Sequence, residues 1–169
     1  MSAVLGTLRA DLCSLEVDAI VNAANAGLLG GGGVDGAVHR AAGPRLLEAC
    51  RAIGGCASGD AVLTPGFALP ARWVIHAVGP IWRGGAAGED ATLASCYRRS
   101  LELAREHGFA SLAFSALSTG VYGFPRPRAA RIAVQTLRAG LGDCPRLERV
   151  WLVAFDEENL ALYRAELGV

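Results

Sequence analysis

Residues 17–43 read VDAIVNAANAGLLGGGGVDGAVHRAAG, and the rest of the chain is organised around this stretch. The apolar run Val17–Val21 has the composition of a buried strand. The glycines Gly30–Gly33 separate it from residues 34–42, where apolar side chains recur at helical spacing. The stretch therefore predicts a strand, a glycine loop and a helix. Such a loop presents backbone N–H groups and the positive end of a helix dipole, which together suit a phosphate.

Two polar side chains in this stretch are candidates for function. Asp35 falls in the first turn of the predicted helix, where a carboxylate either balances the helix dipole or acts as a catalytic group beside a bound anion. Asn25 follows the strand, where it either caps a turn or contacts a ligand. His39, one turn after Asp35, and His76, in a later apolar run, are interpreted as packed, hydrogen-bonded histidines rather than as bases.

A second loop of the same character follows another apolar strand. The run 111–116 leads directly into STGVYGFP at 118–125. The glycines of this loop let backbone N–H groups turn inward, and its serine and threonine add hydroxyl donors. Ligands of open α/β sheets bind beyond the carboxyl ends of the strands. We therefore expect the two loops to face each other and to clamp a diphosphate without any lysine.

Predicted strands and helices alternate along the whole chain. This alternation predicts an α/β sandwich in which helices cover both faces of a largely parallel sheet. Residues 1–169 contain no linker, repeat or low-complexity segment, and we expect them to form one domain. The predicted strands are 3–8 (at an edge), 17–22, 61–64, 73–78, 111–116 and 147–155. The predicted helices are 34–42, 45–53, one with its apolar face at 93–104 that Gly108 ends, 126–139 and a last one capped by Asp156.

Composition and charge exclude several classes of protein. The chain is 52% hydrophobic and 19% charged, which is typical of a packed protein and not of a disordered one. Its 16 basic and 16 acidic residues cancel, so that general nucleic-acid binding is not favoured. The five cysteines form no C-x-x-C pair or Cys/His cluster, so that neither disulfides nor a metal site is predicted. No apolar run reaches membrane-spanning length, and we expect a soluble, cytoplasmic monomer.

Two familiar motifs, one for phosphate binding and one for a nucleophile, are also absent. The chain has no G-x-x-x-x-G-K-[ST] sequence, which argues against a nucleoside triphosphatase. Gly31, Gly33 and Gly36 fall at the G-x-G-x-x-G spacing, but Gly30–Gly33 form a contiguous run, so that a standard dinucleotide fold is only weakly supported. It has no G-x-S-x-G elbow, which argues against a serine hydrolase.

Several long motifs resemble those of one known family. VDAIVNAAN, GGGGVDGAVHRAAGP and STGVYGFP resemble the sequences of MacroD-type macrodomains, and GDAVLT, VIHAVGPIWRGG and FDEEN extend the similarity over nearly the whole chain. The match is closest to the bacterial branch described as O-acetyl-ADP-ribose deacetylases. The resemblance implies a three-layer α/β/α fold with a mixed sheet, binding of ADP-ribose, and hydrolysis of esters on its distal ribose.

The resemblance also implies a role for each matching position. Asn25 would hold the distal ribose hydroxyls and Asp35 would act beside that ribose, so that these two are the implied catalytic residues. Asp11 would accept the adenine amino group, and Phe155 would pack on the adenine. The implied ADP-ribose-binding residues are Asp11, Leu12, Asn25, Gly32, Gly33, Val34, Asp35, Ser118, Thr119, Gly120, Val121, Tyr122 and Phe155.

Four positions depart from the family's pattern. Ala10 and Cys13 replace a glycine and a threonine around the adenine aspartate, which affects the local turn rather than the aspartate itself. Ser115 stands where proline is common. Phe124 stands where tyrosine is common, which removes one hydroxyl near the second loop.

The expected function is hydrolysis of O-acetyl-ADP-ribose and of mono-ADP-ribose esters on Asp or Glu side chains of proteins. A water held between Asp35 and a phosphate oxygen would attack the ester carbonyl or the anomeric carbon, without metal or cofactor. Two alternatives remain open. A non-catalytic reader of ADP-ribose would need the pocket but not the carboxylate, and an RNA- or poly(ADP-ribose)-binding module would need a basic patch. Tyr122 either gates the site or only packs.

Overall fold

The computed structural model describes residues 3–169, which form one mixed sheet with helices on both faces. The strands are β1 (Val4–Arg9), β2 (Ala19–Ala23), β3 (Ala61–Pro65), β4 (Trp73–Ala77), β5 (Ser111–Phe114) and β6 (Arg149–Ala154), and the helices are α1 (Gly33–Ala42), α2 (Pro44–Ile53), α3 (Glu89–His107), α4 (Arg126–Gly140) and α5 (Glu157–Leu167). The strand order is β1-β6-β5-β2-β4-β3. Neighbouring strands are parallel except for β3, which pairs antiparallel with β4, so that the predicted mixed, largely parallel sheet is confirmed.

Two hydrophobic cores lie on opposite faces of this sheet. Along β2, Ala19 and Val21 point into the core under α3, α4 and α5, whereas Ile20 points into the core under α1 and α2. This alternation follows from the two-residue period of a strand, and both sides are apolar because both faces of a parallel sheet are covered. The predicted helical face of 93–104 is buried along α3. The three-layer α/β/α arrangement is therefore confirmed.

The predicted strand ends differ from the observed ones for local reasons. Strand β2 begins at Ala19 rather than at Val17 and continues through Ala23. Asp18 does not continue the strand because its Oδ2 accepts hydrogen bonds from the N–H groups of Ala110 (2.6 Å) and Ser111 (3.2 Å). The predicted strands 111–116 and 147–155 are also shorter, at 111–114 and 149–154. The other predicted elements coincide with observed ones apart from their end residues.

The strand order places the predicted functional loops at one edge of the sheet. Strands β2 and β5 are parallel neighbours, with Val21 opposite Phe114, so that the loops following them emerge side by side. Strands β6 and β1 are also parallel neighbours, with Ala154 opposite Arg9. The segments that follow β1 and β6 therefore reach the same edge as the two loops.

Candidate active site

The loop between β2 and α1 is shaped by the side chain of Asn25. Its Oδ1 accepts a hydrogen bond from the Leu28 N–H (3.0 Å), and its Nδ2 donates to the Gly30 carbonyl (2.9 Å). Leu28 has a φ of +59° and Gly30 a φ of +85°, conformations that need such support. Asn25 thus takes the turn role that the sequence left open, and its half-buried side chain also lines the cavity described below.

The glycine loop packs directly on the start of α1. A Cβ atom at Gly36 would lie 2.5 Å from the Gly31 carbonyl oxygen, so that only glycine permits this approach. Helix α1 is capped by Gly32, which has no side chain to bond the first N–H groups. Those N–H groups are therefore available to an anion at this end of the helix.

The second loop is held by hydrogen bonds of its backbone. The Phe124 N–H donates to the Ser118 carbonyl (2.9 Å), and the Trp82 N–H donates to the Tyr122 carbonyl (2.8 Å). Ser118 has a φ of +64°, and its Oγ is buried without a hydrogen-bond partner among the described residues. A Cβ at Gly79 would lie only 2.0 Å from this Oγ. The Ser118 hydroxyl is thus turned towards Gly79, and Gly79 has to be glycine.

The two loops enclose a cleft of two chambers. One chamber, of about 390 Å³, has Asn25, Asp35 and Tyr122 in its wall, and we call it the distal chamber. The other, of about 470 Å³, is lined in part by Asp11 and Phe155, and we call it the aromatic chamber. The chambers share Val34, Ala116 and Gly120 in their walls. Every binding residue proposed from the sequence lines one chamber or the other.

The aromatic chamber presents two exposed side chains, those of Asp11 and Phe155. The Asp11 Oδ1 accepts a hydrogen bond from the Cys13 N–H (3.0 Å), so that the substitutions at Ala10 and Cys13 leave an ordered turn. Phe155 is 49% exposed, and the Arg126 guanidinium carbon lies 4.7 Å from the centre of its ring. Arg126 lines this chamber and was missed in the sequence, where its position immediately after the second loop was the available signal.

The distal chamber has a buried carboxylate in its wall. Asp35 is 6% exposed, and its Oδ1 accepts a hydrogen bond from the Asn22 Nδ2 (2.8 Å). The Nε2 of His39 lies 3.5 Å from the same oxygen. Because Oδ1 has these partners, Oδ2 is the oxygen that remains for a molecule in the chamber. Asn22, at the end of β2, was not singled out in the sequence.

Polar groups continue behind Asp35, away from the cleft. The Asn22 Nδ2 also lies 3.3 Å from the Nδ1 of His76, and the Nε2 of His76 lies 2.9 Å from the Thr64 hydroxyl. Burial, with a smaller contribution from the charge of His39, lowers the pKa of His76 to about 4. Burial and the charge of Asp35 raise the pKa of the Cys50 thiol to about 11. His76 is thus a buried, hydrogen-bonded histidine, as predicted.

The rim beside the distal chamber is fixed by a buried carboxylate of α3. Glu89 accepts hydrogen bonds from the N–H groups of Arg83 (2.9 Å), Gly85 (2.8 Å) and Ala87 (2.7 Å). These backbone bonds, led by that of Arg83, lower the pKa of the Glu89 carboxyl to about 2. The loop before α3 is therefore held in one conformation at neutral pH.

The two remaining departures from the family's pattern are absorbed by the fold. The Ser115 N–H and hydroxyl both donate to the Val21 carbonyl, at 3.0 and 2.7 Å, which extends the pairing of β5 with β2. Phe124 is buried against Trp82, with 4.8 Å between ring centres.

Within residues 3–169, no group of three or more His, Cys, Asp or Glu side chains is arranged to hold a metal ion. None of the helices described is both long and apolar enough to cross a bilayer.

Comparisons with known proteins agree with this geometry. The family model described as Macro domain matches residues 21–133. A macro domain-containing protein of Ralstonia nicotianae is 58% identical over 97% of this chain and 94% of its own length. A Klebsiella pneumoniae protein named O-acetyl-ADP-ribose deacetylase is 56% identical over 94% of this chain and 93% of its own.

A solved structure of an Oceanobacillus iheyensis macrodomain variant with ADPR superimposes with a TM-score of 0.94. The two sequences are 40% identical, and the superposition covers 99% of this chain and 93% of the Oceanobacillus iheyensis chain. Sequence, fold and cleft therefore agree, and this chain belongs to the macro domain family.

Proposed function

We propose that this protein binds ADP-ribose and hydrolyses esters on its distal ribose. The observation that carries the proposal is the Asp35 carboxylate, which is buried, oriented by Asn22, and placed in the wall of a chamber beside the open N-terminus of α1. A chamber that only bound a diphosphate-linked sugar could hold the ribose hydroxyls with neutral acceptors, which would avoid the repulsion between a carboxylate and a phosphate. A hydrolase needs such a group to activate water.

The two chambers fit the two ends of ADP-ribose. The aromatic chamber offers the Phe155 ring for stacking and the Asp11 carboxylate as an acceptor for an amino group, which suits adenine. The shared wall at Gly120 and the start of α1 offer backbone N–H groups, which suit the diphosphate. The distal ribose would then lie in the distal chamber, against Asn25 and Asp35.

The chemistry follows from this placement. Asp35 accepts a proton from a water that a phosphate oxygen also holds, and the water oxygen attacks the ester carbonyl carbon. The ribose oxygen leaves and takes a proton, so that the products are ADP-ribose and a carboxylic acid. Attack at the anomeric carbon would give the same products when the ester is at that carbon. General-base help of this kind contributes about 10²–10⁴-fold to the rate, and positioning of the ribose contributes much of the rest.

We also propose that the acyl group is either acetate or the Asp or Glu side chain of a protein. The Klebsiella pneumoniae relative's name supports the acetyl ester. The distal chamber is open at its rim, where Val121 is fully exposed, and this opening leaves room for an acyl group that belongs to a larger molecule. We take residues 1–169 to act as one macrodomain and as a monomer, without a metal or other cofactor.

The test is release of ADP-ribose under single-turnover conditions from O-acetyl-ADP-ribose and from an auto-modified transferase. We expect wild type to release ADP-ribose from both and Asp35→Ala from neither at a comparable rate. Binding of ADP-ribose by wild type without release from either ester would instead identify a reader. An Asp35→Ala variant that hydrolyses at the wild-type rate would show that Asp35 only caps its helix.

A further inference from the structure

We propose that a buried chain of hydrogen bonds from Thr64 through His76 to Asn22 positions the Asp35 carboxylate for its reaction. Thr64, His76 and Asn22 line neither chamber, so that each would act through another residue and not on the substrate. The inference rests on the proposed function, because it assigns to His76 and Asn22 the support of the group that activates water.

The amide of Asn22 can be oriented in only one way. Its Nδ2 carries two hydrogens, one directed to the Asp35 Oδ1 at 2.8 Å and the other to the His76 Nδ1 at 3.3 Å. An amide turned by 180° would place its oxygen against the carboxylate oxygen, where both atoms are acceptors. Asn22 is completely buried, so that no solvent competes for these bonds.

The orientation of Asn22 in turn fixes the state of His76. Because the His76 Nδ1 accepts from Asn22, the ring is neutral and carries its proton on Nε2. That Nε2–H donates to the Thr64 hydroxyl at 2.9 Å, and the hydroxyl donates onward to the Pro65 carbonyl at 3.1 Å. Each bond therefore has one donor and one acceptor. The donated bonds diverge from the Asn22 amide, one to Asp35 and the other through His76 and Thr64 to the backbone of β3.

The sheet supplies the rigidity of this chain. Asn22 and His76 are paired residues of the parallel strands β2 and β4, so that their side chains lie side by side on one face. Thr64 lies on β3, which pairs with β4. Three strands thus hold the donors, whereas Asp35 itself lies in the first turn of α1. The bond from Asn22 ties the carboxylate of the helix to the centre of the sheet.

The chain of hydrogen bonds affects the reaction because it engages one oxygen of Asp35 and leaves the other oxygen for water. With Oδ1 held by Asn22, the plane of the carboxylate is set and Oδ2 is the oxygen presented to water. Without Asn22, the nearest partner of Oδ1 is His39 at 3.5 Å, across one turn of the same helix. Misplacement of a reacting group by about 1 Å costs on the order of 10²-fold in rate.

The experiment compares Asn22→Ala with Asn159→Ala. Asn159 is as buried as Asn22 and also has an Oδ1 without a partner among residues 3–169, but it lies on α5 and lines neither chamber. We expect Asn22→Ala to hydrolyse O-acetyl-ADP-ribose about 10- to 100-fold more slowly in a single turnover. Its Kd for ADP-ribose, measured by calorimetry, should stay within about threefold of wild type. Asn159→Ala should lose thermal stability without losing rate.

A double-variant measurement separates positioning from a general loss of structure. His76→Phe should slow hydrolysis several-fold, because Asn22 then lacks one of its acceptors. In combination with Asn22→Ala, His76→Phe should cause no further loss, since it acts only through Asn22. Additive losses would overturn the proposal, as would an Asn22→Ala rate within about twofold of wild type.

The outcomes also separate this proposal from the proposed function. If Asp35→Ala is inactive while Asn22→Ala keeps the wild-type rate, the chain is structural and the hydrolase proposal stands. If Asp35→Ala is as active as wild type, the proposed function itself fails. If Asn22→Ala does not fold, the decision passes to His76→Phe, which must slow hydrolysis at unchanged Kd for the proposal to survive.

Discussion

The two chambers of the cleft are built in opposite ways. The aromatic chamber uses exposed side chains, with Phe155 half-exposed beneath Arg126 and Asp11 at the surface. The distal chamber uses Asp35, a carboxylate buried to 6% exposure and backed by Asn22, which is not exposed at all. Stacking needs only an accessible ring, whereas a general base needs a fixed direction and exclusion of competing water. Under the proposed function, this difference corresponds to binding at one end and chemistry at the other.

The largest effect is expected at the distal chamber. Asp35→Ala should lower the rate of ester hydrolysis by about 10²–10⁴-fold, the contribution typical of a general base. Its affinity for ADP-ribose should be unchanged or improved, because a negative charge beside the phosphates is removed. Single-turnover kinetics and calorimetry on the same preparation measure both quantities. A parallel loss of affinity and rate would mean that Asp35 serves binding and that the chambers do not differ in the proposed way.

The stability that His76 contributes behind the distal chamber should depend on pH. The pKa of His76 is lowered from 6.5 to about 4 in the folded protein, mainly by burial. Its contribution to stability is therefore complete above pH 6.5 and is lost as the pH falls towards 4, with a limit of about 3 kcal/mol. Denaturant unfolding of wild type and His76→Phe across this window measures the effect. Asn22, Thr64 and Cys50 contact the ring, His39 lies beside it, and all four are unchanged in the variant.

We expect wild type to lose more stability than His76→Phe between pH 6.5 and 4. Equal losses would show that His76 is not responsible for the pH dependence in this range. Glu89 gives a separate signal, because its pKa is lowered from 4.5 to about 2. Its contribution is complete above pH 4.5 and disappears only as the pH falls towards 2.

A substitution in the aromatic chamber should weaken binding and leave the rate of hydrolysis nearly unchanged. Phe155→Ala should weaken ADP-ribose binding by roughly 1–3 kcal/mol, the scale of stacking between a base and an aromatic ring. The rate at saturating substrate should change little, because the distal chamber is untouched. Phe67→Ala is a matched control, since Phe67 also lies under an arginine, Arg45 at 4.9 Å, but lines neither chamber. Unchanged affinity in Phe155→Ala would remove this ring from the binding site.

The smallest effect is expected from metal removal. Backbone N–H groups at α1 and in the second loop suit a diphosphate unaided, so that EDTA should leave hydrolysis unchanged. The measurement is the single-turnover rate with and without the chelator. A loss of rate that magnesium or zinc restores would show that a metal joins the chemistry of the distal chamber.

The layers of the fold could be predicted from the sequence, and so could the edge of the sheet at which the two loops meet. Both loops follow apolar runs, and strands of this kind place their carboxyl ends at one edge, which is where β2 and β5 bring Asn25, Asp35 and Ser118 together. The antiparallel direction of β3 was not specified, because a short strand of five residues carries no local sign of its direction.

The contacts behind the cleft could not be predicted in the same way. Asn22 ends an apolar strand, and its bonds to Asp35 and His76 depend on which strands are neighbours. The Ser118 hydroxyl, expected to donate to a ligand, is turned towards Gly79 because the backbone at Ser118 adopts a positive φ. Arg126 was missed because it contacts Phe155 across the fold. Arg126 begins α4 and Phe155 follows β6, and the sequence does not show that these two ends are close.

The most direct test of the central claim is hydrolysis in H₂¹⁸O. Wild-type protein is given O-acetyl-ADP-ribose in labelled water, and both products are analysed by mass spectrometry. We predict that ADP-ribose is released and that a single ¹⁸O appears in the acetate for attack at the carbonyl, or in the ribose for attack at the anomeric carbon. Asp35→Ala should release little of either labelled product. Tight binding of ADP-ribose by wild type, with no labelled product from the ester, would contradict the account.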